Sequence, residues 1–382
     1  MYILERPGLY GVLDLSQDNH RPLIEQGRCF WAAGTGPWPL GRSKVAVQLG
    51  QRGGHKLNLA NRHDNPGSMD PLWKRSAKSP GKVILFGEHA IVYGRPAAVL
   101  AIDLPTTVET SAFSREELTL DGSPEAFLRN PYLKEAARVE GVRGVDVKVR
   151  SDIPRASGLG SSAALISAFL TTMSTGPIDR AALARKSFVS EFSAQKIGSP
   201  ADTSTVSAGG LVAVGGKGYG EKLWDIPAVM GRGPWTVGRL KDPQWKWVVA
   251  YSGLPKATGP SVTSVGERLK KDSTHILDRI SAVAEDGIGA LSGGDRKEAG
   301  RLMNENHKLL LELGVGHPRL DEMVHSVQGS VLGVKITGAG NGGSVVALPK
   351  EGDEELVAKL FAKAGALPFV VASSAQGTTL LP

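Results

Sequence analysis

The stretch Gly158-Leu-Gly-Ser-Ser-Ala-Ala164 carries residue types suited to gripping an anion. Two glycines let the backbone bend and approach a ligand closely, and the serines are placed to cap a helix predicted over 163–173. At such a helix start, unpaired N–H groups coincide with the positive end of the helix dipole, and phosphate is the natural guest. The loop alone leaves three readings open: a phosphate site, a plain helix cap, or a dinucleotide fingerprint, which Gly158-x-Gly160-x-x-Ala163 fits loosely. That fingerprint wants a strand directly before it and an acidic residue ~20 positions later on a second strand. Here Asp152-Ile-Pro-Arg-Ala-Ser157 intervenes, and the region near Arg185 reads as helix. The Gly-Lys-Ser/Thr ending of nucleotide phosphate loops is absent, because Gly81-Lys82 is followed by Val83. A zinc site is not expected: the eight histidines are scattered and no His-Glu-x-x-His occurs.

The elements that must hold this loop follow from composition and pattern. A chain of 382 residues, 41% apolar and 22% charged, suits an ordinary globular protein of two or three domains with a cleft between them. No apolar run approaches the ~20 residues of a membrane helix. The start, Met-Tyr-Ile-Leu-Glu-Arg, lacks a secretory pattern. The only cysteine, Cys29, excludes an internal disulfide and a cysteine metal cluster, so a cytoplasmic protein is expected. The net charge of +7 does not point to nucleic acid. Residues 1–75 hold 10 Lys/Arg against 6 Asp/Glu, the remaining 307 hold 35 against 32, and no basic block with interleaved aromatics occurs there.

Residues 1–75 show no sustained period and are interrupted by tracts such as Gly34-Thr-Gly-Pro-Trp-Pro39, so a disordered or spurious extension is expected, with Met69 as an alternative start. Five acidic residues among the first 68 argue against a targeting peptide. Strands are predicted over 82–86, 97–102, 145–149, 245–250, 333–337, 345–348 and 369–372. Helices are predicted over 178–196, 261–291, 296–313 and 354–364. Ser199-Pro-Ala-Asp202 reads as a break, and 215–235 as a linker. Strands and helices mixed without strict alternation predict an α+β fold.

Three segments occur in order: Ser79-Pro-Gly-Lys-Val-Ile-Leu-Phe-Gly-Glu-His-Ala-Ile-Val-Tyr-Gly94, Ile153-Pro-Arg-Ala-Ser-Gly-Leu-Gly-Ser-Ser-Ala-Ala164 and Lys335-Ile-Thr-Gly-Ala-Gly-Asn-Gly-Gly-Ser344. Together they closely resemble the three motifs of the GHMP small-molecule kinases, over a range from about Ser79 onward. The resemblance removes the dinucleotide reading. It implies an N-terminal ribosomal-S5-like ATP-binding domain over 76–228 and a ferredoxin-like C-terminal domain over 229–382. It also implies transfer of the γ-phosphoryl group of ATP, with Mg²⁺ as cofactor. The wording Gly-Glu-His-Ala-Ile-Val-Tyr-Gly, with Gly198-Ser-Pro-Ala-Asp-Thr-Ser204 and Met303-Asn-Glu-Asn-His307, points within the family to the C5 hydroxyl of mevalonate as acceptor, feeding isoprenoid synthesis.

By the same resemblance Gly158, Leu159, Gly160, Ser161, Ser162 and Ala163 bind the ATP phosphates. Ser162, or its neighbour Ser161, and Glu191 hold the metal. Asp202 is the candidate base, and Lys82 beside it keeps the carboxylate ionised and offsets phosphate charge. Glu88, His89, Asp202 and Thr258 surround the substrate; an imidazole can donate to its carboxylate, whereas Glu88 needs a hydroxyl or a cation. Gly338, Ala339 and Gly340 form a glycine loop near the phosphates. Three positions depart from the family pattern: Asn341 where glycine is frequent, which a left-handed backbone tolerates, Ser344 where cysteine is common in animal enzymes, and Gly259 where many relatives carry arginine. The partners implied are ATP and mevalonate, with no nucleic acid, no membrane and a homodimer left open. The rivals are another acceptor of the family (a sugar, homoserine or phosphomevalonate), an ATP-dependent decarboxylation of mevalonate diphosphate, and a non-catalytic ligand-binding relative.

Overall fold

The structure, a computed structural model, describes residues 2–3, 12–13, 23–25, 28–30, 71–229, 232–256, 265 and 275–382. The chain divides into two units, Met1–Asp70 and Pro71–Pro382. In the first, β1 (Tyr2–Ile3) pairs antiparallel with β2 (Val12–Leu13), and β3 (Leu23–Glu25) with β4 (Arg28–Phe30). The expectation of disorder over 1–75 otherwise falls largely outside the described residues.

The second unit is built on two long antiparallel strands, β5 (Trp73–Phe86) and β6 (Ala97–Ala112). Residues 79–86 and 97–102 are buried without interruption, as expected of strands covered on both faces. From Thr106 to Ala112 burial alternates residue by residue, so there only one face meets a core. The sheet continues outward from β6 through β9 (Leu211–Val214), β11 (Trp235–Arg239) and β10 (Glu221–Ile226). Strand β8 (Val145–Ser151) pairs with the outer half of β6, and β7 (Thr119–Leu120) lies parallel to β8. The other edge of β5 is completed by β16 (Thr379–Leu380). Helices α1 (Pro124–Arg129), α2 (Pro131–Glu140), α3 (Ser161–Thr172), α4 (Arg180–Gln195) and α5 (Ala201–Ala208) belong to this half, where Phe127, Leu133, Ile166 and Phe169 pack with Val108 and Val147.

The second sheet has the order β13 (Val331–Thr337), β14 (Ser344–Pro349), β12 (Trp247–Tyr251), β15 (Leu367–Val371), antiparallel throughout. Its helices are α6 (His275–Gly293), α7 (Arg296–Glu312), α8 (Pro318–Val327) and α9 (Glu354–Lys363). One core runs through both sheets, joining Val83, Leu85 and Phe86 to Val248, Ile280, Ile336 and Phe361. The architecture is α+β, as the pattern predicts. No helix among the described residues is long and apolar enough to cross a membrane.

Several elements differ from the sequence expectation, each for a physical reason. Strand β5 begins at Trp73 rather than 82, because its polar half (Lys-Arg-Ser-Ala-Lys-Ser-Pro) shows no apolar period; the register shifts between Ser79 and Gly81, around a proline that has no N–H to donate. The expected boundary at 75/76 therefore lies within a strand. The stretch read as a linker, 215–235, contains β10 and leads into β11, an antiparallel pair that spans the 228/229 boundary. The expected break at Ser199–Asp202 instead opens α5. That helix is buried nearly all round, and Thr205 Oγ1 bonds back to Ala201 O at 2.7 Å, so it has no amphipathic signature. The serine cap on α3 is also corrected: the N-cap is Gly160, with no side-chain cap bond, and Ser161 and Ser162 are already helical. Of the helix predicted over 261–291, residues 257–264 and 266–274 lie outside the described residues.

Gly287 of α6 lies against Phe86 of β5: a Cβ there would stand 2.6 Å from the ring. Gly287→Val is expected to destabilise the fold by about 1–3 kcal/mol through overpacking, read as a lowered midpoint in urea denaturation.

Candidate active site

Most of the predicted site residues line a cleft of about 1060 Å³, whereas Leu159 and Ala163 are fully buried and are not part of its lining. Its floor is the loop between β8 and α3. Gly158 and Gly160 both have left-handed backbones, φ 82° and 84°, which glycine adopts without strain. With no side chain capping α3, its first N–H groups have no intrahelical partner and are available to an anion. Lys82 is fixed beneath this loop. Its backbone N–H donates to Leu159 O at 2.9 Å and its Nζ to Gly158 O at 3.0 Å. A Cβ on Gly160 would lie 2.7 Å from Lys82 Cγ, so the loop closes over the lysine only because that residue is glycine.

Lys82 is 1% exposed and pairs at 2.9 Å with Asp202, in the first turn of α5, whose side chain is 28% exposed. The lysine is sealed while its partner's carboxylate still faces the cleft. Ser162 Oγ donates to Glu191 Oε1 at 2.5 Å, and α4 presents Glu191 after a start capped by Asp179. Burial pushes the Glu191 carboxyl up to about 7 and the nearby Asp202 charge adds to this, against the opposing pull of Ser162, Lys82 and Lys256. Among the described residues no group of three or more His, Cys, Asp or Glu forms a metal cage. The two neighbouring carboxylates and the serine hydroxyl are hard oxygen donors that fit a hydrated dication carried in on phosphate.

Glu88 and His89 take roles that differ from those expected. Glu88 Oε1 pairs with Lys335 of β13; the two side chains are 1% and 0% exposed, and Glu88 Oε2 is buried without a partner. Its cation is thus internal. Burial lowers the His89 imidazole to about 4, and Lys256 and Lys335 reinforce the shift, although the bond to the Ala339 backbone opposes it. Its Nε2 meets Ala339 O at 3.2 Å, and a carbonyl only accepts, so Nε2 carries the proton and the unpartnered Nδ1 is an acceptor. A neutral ring so held accepts from a hydroxyl and cannot donate to a carboxylate, which corrects the expected contact.

In the third loop, Gly338 and Ala339 reach the cleft. Gly340 does not: a Cβ there would meet Val315 O at 2.2 Å, so it packs against the end of α7 rather than near phosphates. Asn341 has φ 56°, the left-handed backbone expected of it. Thr258 and Gly259 lie outside the described residues. The sequence reading passed over two lysines, Lys256 and Lys335. Lys335 opens the third quoted segment and Lys256 stands two residues before Thr258, but nothing local shows that both turn inward.

Two outcomes follow. Glu88→Gln or Lys335→Met alone is expected to cost about 3–5 kcal/mol, since each leaves a buried charge unpaired, and the double variant Glu88→Leu/Lys335→Met to recover most of that in chemical denaturation. In metal-free buffer the native protein holds a proton on Glu191 that the unfolded chain releases near 4.5. The Glu191 contribution to stability therefore falls as pH rises from about 4.5 to 7, by on the order of 2 kcal/mol; the buried neutral His89 contributes with the opposite sign, so the effect is read as the difference between the wild-type and Glu191→Gln stability curves.

The family models for the GHMP kinases N terminal domain and the GHMP kinases C terminal match residues 127–210 and 285–366. The chain is 31% identical over 295 residues to the mevalonate kinase of Methanothermobacter thermautotrophicus, covering 72% of this chain and 90% of that one. It is 32% identical over 339 residues to the mevalonate kinase of Thermococcus sibiricus, covering 79% and 96%. The crystal structure of L. major mevalonate kinase in complex with R-mevalonate superposes with a TM-score of 0.67 at 22% identity, covering 80% of this chain and 98% of that one. Likeness sustained over nine-tenths or more of the relatives' own length, in both halves of the fold, makes this chain a member of the GHMP kinase family.

Proposed function

We propose that this kinase transfers the γ-phosphoryl group of ATP to the C5 hydroxyl of mevalonate, giving 5-phosphomevalonate and ADP for isoprenoid synthesis. The observation that carries the reading is the Lys82–Asp202 pair, held at 2.9 Å under the amino end of α3 with the carboxylate open to the cleft. In this reading Asp202 takes the hydroxyl proton as the C5 oxygen forms its bond to the γ-phosphorus, and the bond to the ADP oxygen breaks with its electron pair leaving on ADP. Lys82 holds the Asp202 carboxylate in place through their ion pair until then. The open N–H groups of α3 and residues 158–163 take the phosphates. Ser162 and Glu191, with Ser161 adjacent, would hold Mg²⁺, which when bound neutralises phosphate charge; the raised Glu191 carboxyl fits a site completed by a cation.

Identity of the acceptor is supported by the names of the relatives and by the chemistry of the cleft wall. Ile91, Val92 and Phe188 line it alongside His89, with Trp235 stacked edge-on against Phe188 at 5.7 Å. A small branched acid with a methyl group suits that wall better than a sugar, whose many hydroxyls would lack partners there. His89 Nδ1 accepts from a substrate hydroxyl in this reading, Gly338 and Ala339 lie toward the phosphates, and Thr258 is assigned to the acceptor by the family resemblance alone.

Purified protein with Mg-ATP and mevalonate is expected to yield 5-phosphomevalonate and ADP by ³¹P NMR. Asp202→Asn is expected to lower kcat by about 10²–10⁴-fold with KM changed only a few-fold. Phosphorylation at C3, release of carbon dioxide, or undiminished turnover in Asp202→Asn would overturn the reading.

A further inference from the structure

Lys256 occupies a position that the glycine loops of the second and third segments are shaped to allow. It follows β12, and its backbone is tied down: its N–H donates to Ala156 O at 2.8 Å, and Gly343 N donates to Leu254 O at 3.0 Å. Its side chain then runs between the loops. A Cβ on Gly158 would stand 3.1 Å from its Cδ and 3.2 Å from its Nζ, one on Gly338 would stand 2.5 Å from Nζ, and one on Gly343 would lie 3.4 Å from its Cβ. Side chains at these positions would crowd the lysine. Holding a lysine in one track sacrifices rotamer freedom that an extended surface lysine keeps.

The charges around it point the same way. Lys82 and Lys335 are each paired with a carboxylate, whereas Lys256 makes no ion pair among the described residues. It also shares Gly158 with Lys82, whose Nζ bonds that residue's carbonyl. Two ammonium groups converging on one peptide repel each other until a multiply charged anion comes between them. The position lies against the phosphate loop and Gly338, at the phosphate end of the cleft rather than along its apolar wall. We propose that Lys256 is a further catalytic residue, its ammonium contacting the γ-phosphoryl oxygens of ATP and stabilising the charge spread over them during transfer. The proposal rests on the phosphotransfer reading above. The lysine donates hydrogen bonds only: the proton of the acceptor still goes to Asp202 and the bonding pair to ADP.

The experiment compares wild type, Lys256→Met and Lys256→Gln, each checked for native melting. Steady-state kinetics with mevalonate are combined with calorimetric affinities for ATP and ADP. In either folded variant kcat is expected to fall about 10²–10³-fold, with KM for mevalonate within threefold. ATP affinity should fall at least about tenfold more than ADP affinity, because only ATP carries the γ-phosphate. An unchanged ATP-to-ADP ratio overturns the proposal, as does kcat within threefold of wild type. A tenfold rise in KM for mevalonate with kcat retained also overturns it, assigning Lys256 to the acceptor carboxylate. The nucleotide ratio needs no acceptor, so a wild type that phosphorylates a different alcohol sinks the mevalonate reading and leaves this test standing. Equal loss of both nucleotides in a protein that does phosphorylate mevalonate sinks Lys256 alone.

Discussion

A sealed ammonium group organises the active end of this molecule. Lys82 is buried on a central strand, where an unpaired charge would be strongly unfavourable. It is tolerated because three separate elements meet it. Asp202 arrives from α5, the Gly158 carbonyl from the loop, and Gly160 withholds a side chain that would displace the lysine stem. Move any of these and the cation loses its partner. The strand, the loop and the small-residue helix are therefore not three motifs that happen to be neighbours: each supplies part of what lets the lysine stay inside.

The three inward lysines are accommodated in different ways. Lys335 is joined to Glu88 behind the cleft, and that pair ties the second sheet to the turn that carries His89. Lys82 shares its charge with a carboxylate that still sees the cleft. Lys256 is confined by glycines rather than by an opposite charge. Fixed geometry and an electrostatic field are thus supplied by separate side chains. That separation suits phosphoryl transfer, where positioning and charge compensation do most of the work.

Much of this was legible in the chain, and the rest was hidden for definite reasons. The helix predicted over 178–196 matches α4 nearly to the residue, and the ordered glycine motifs brought Lys82, Asp202, Ser162 and Glu191 within reach of one another. The polar half of β5 and the fully buried α5 escaped because periodicity reports one-sided burial, and neither has it. The β10–β11 pair was masked by flanking glycines and prolines, which mark turns as readily as linkers. His89 lies at the cleft, as the motif led us to expect, but its proton is not where a donor to a carboxylate would carry it. Its preference for accepting comes from burial and a carbonyl 250 positions away, which no local pattern contains. Gly340 was grouped with the phosphate side on spacing alone, whereas its backbone is held by Val315.

The edge strand β16 carries a consequence for biogenesis. Leu380 and Thr379 complete the free edge of β5 at Ala77 and Lys78, and Ser79 Oγ bonds Thr378 Oγ1 across 299 positions of sequence. During synthesis the half that carries β5 therefore emerges long before the segment that covers its edge. Until residue 380 has cleared the ribosome, β5 presents unpaired backbone groups to solvent. Translation, rather than any slow step within the finished chain, sets the earliest moment at which that sheet can close.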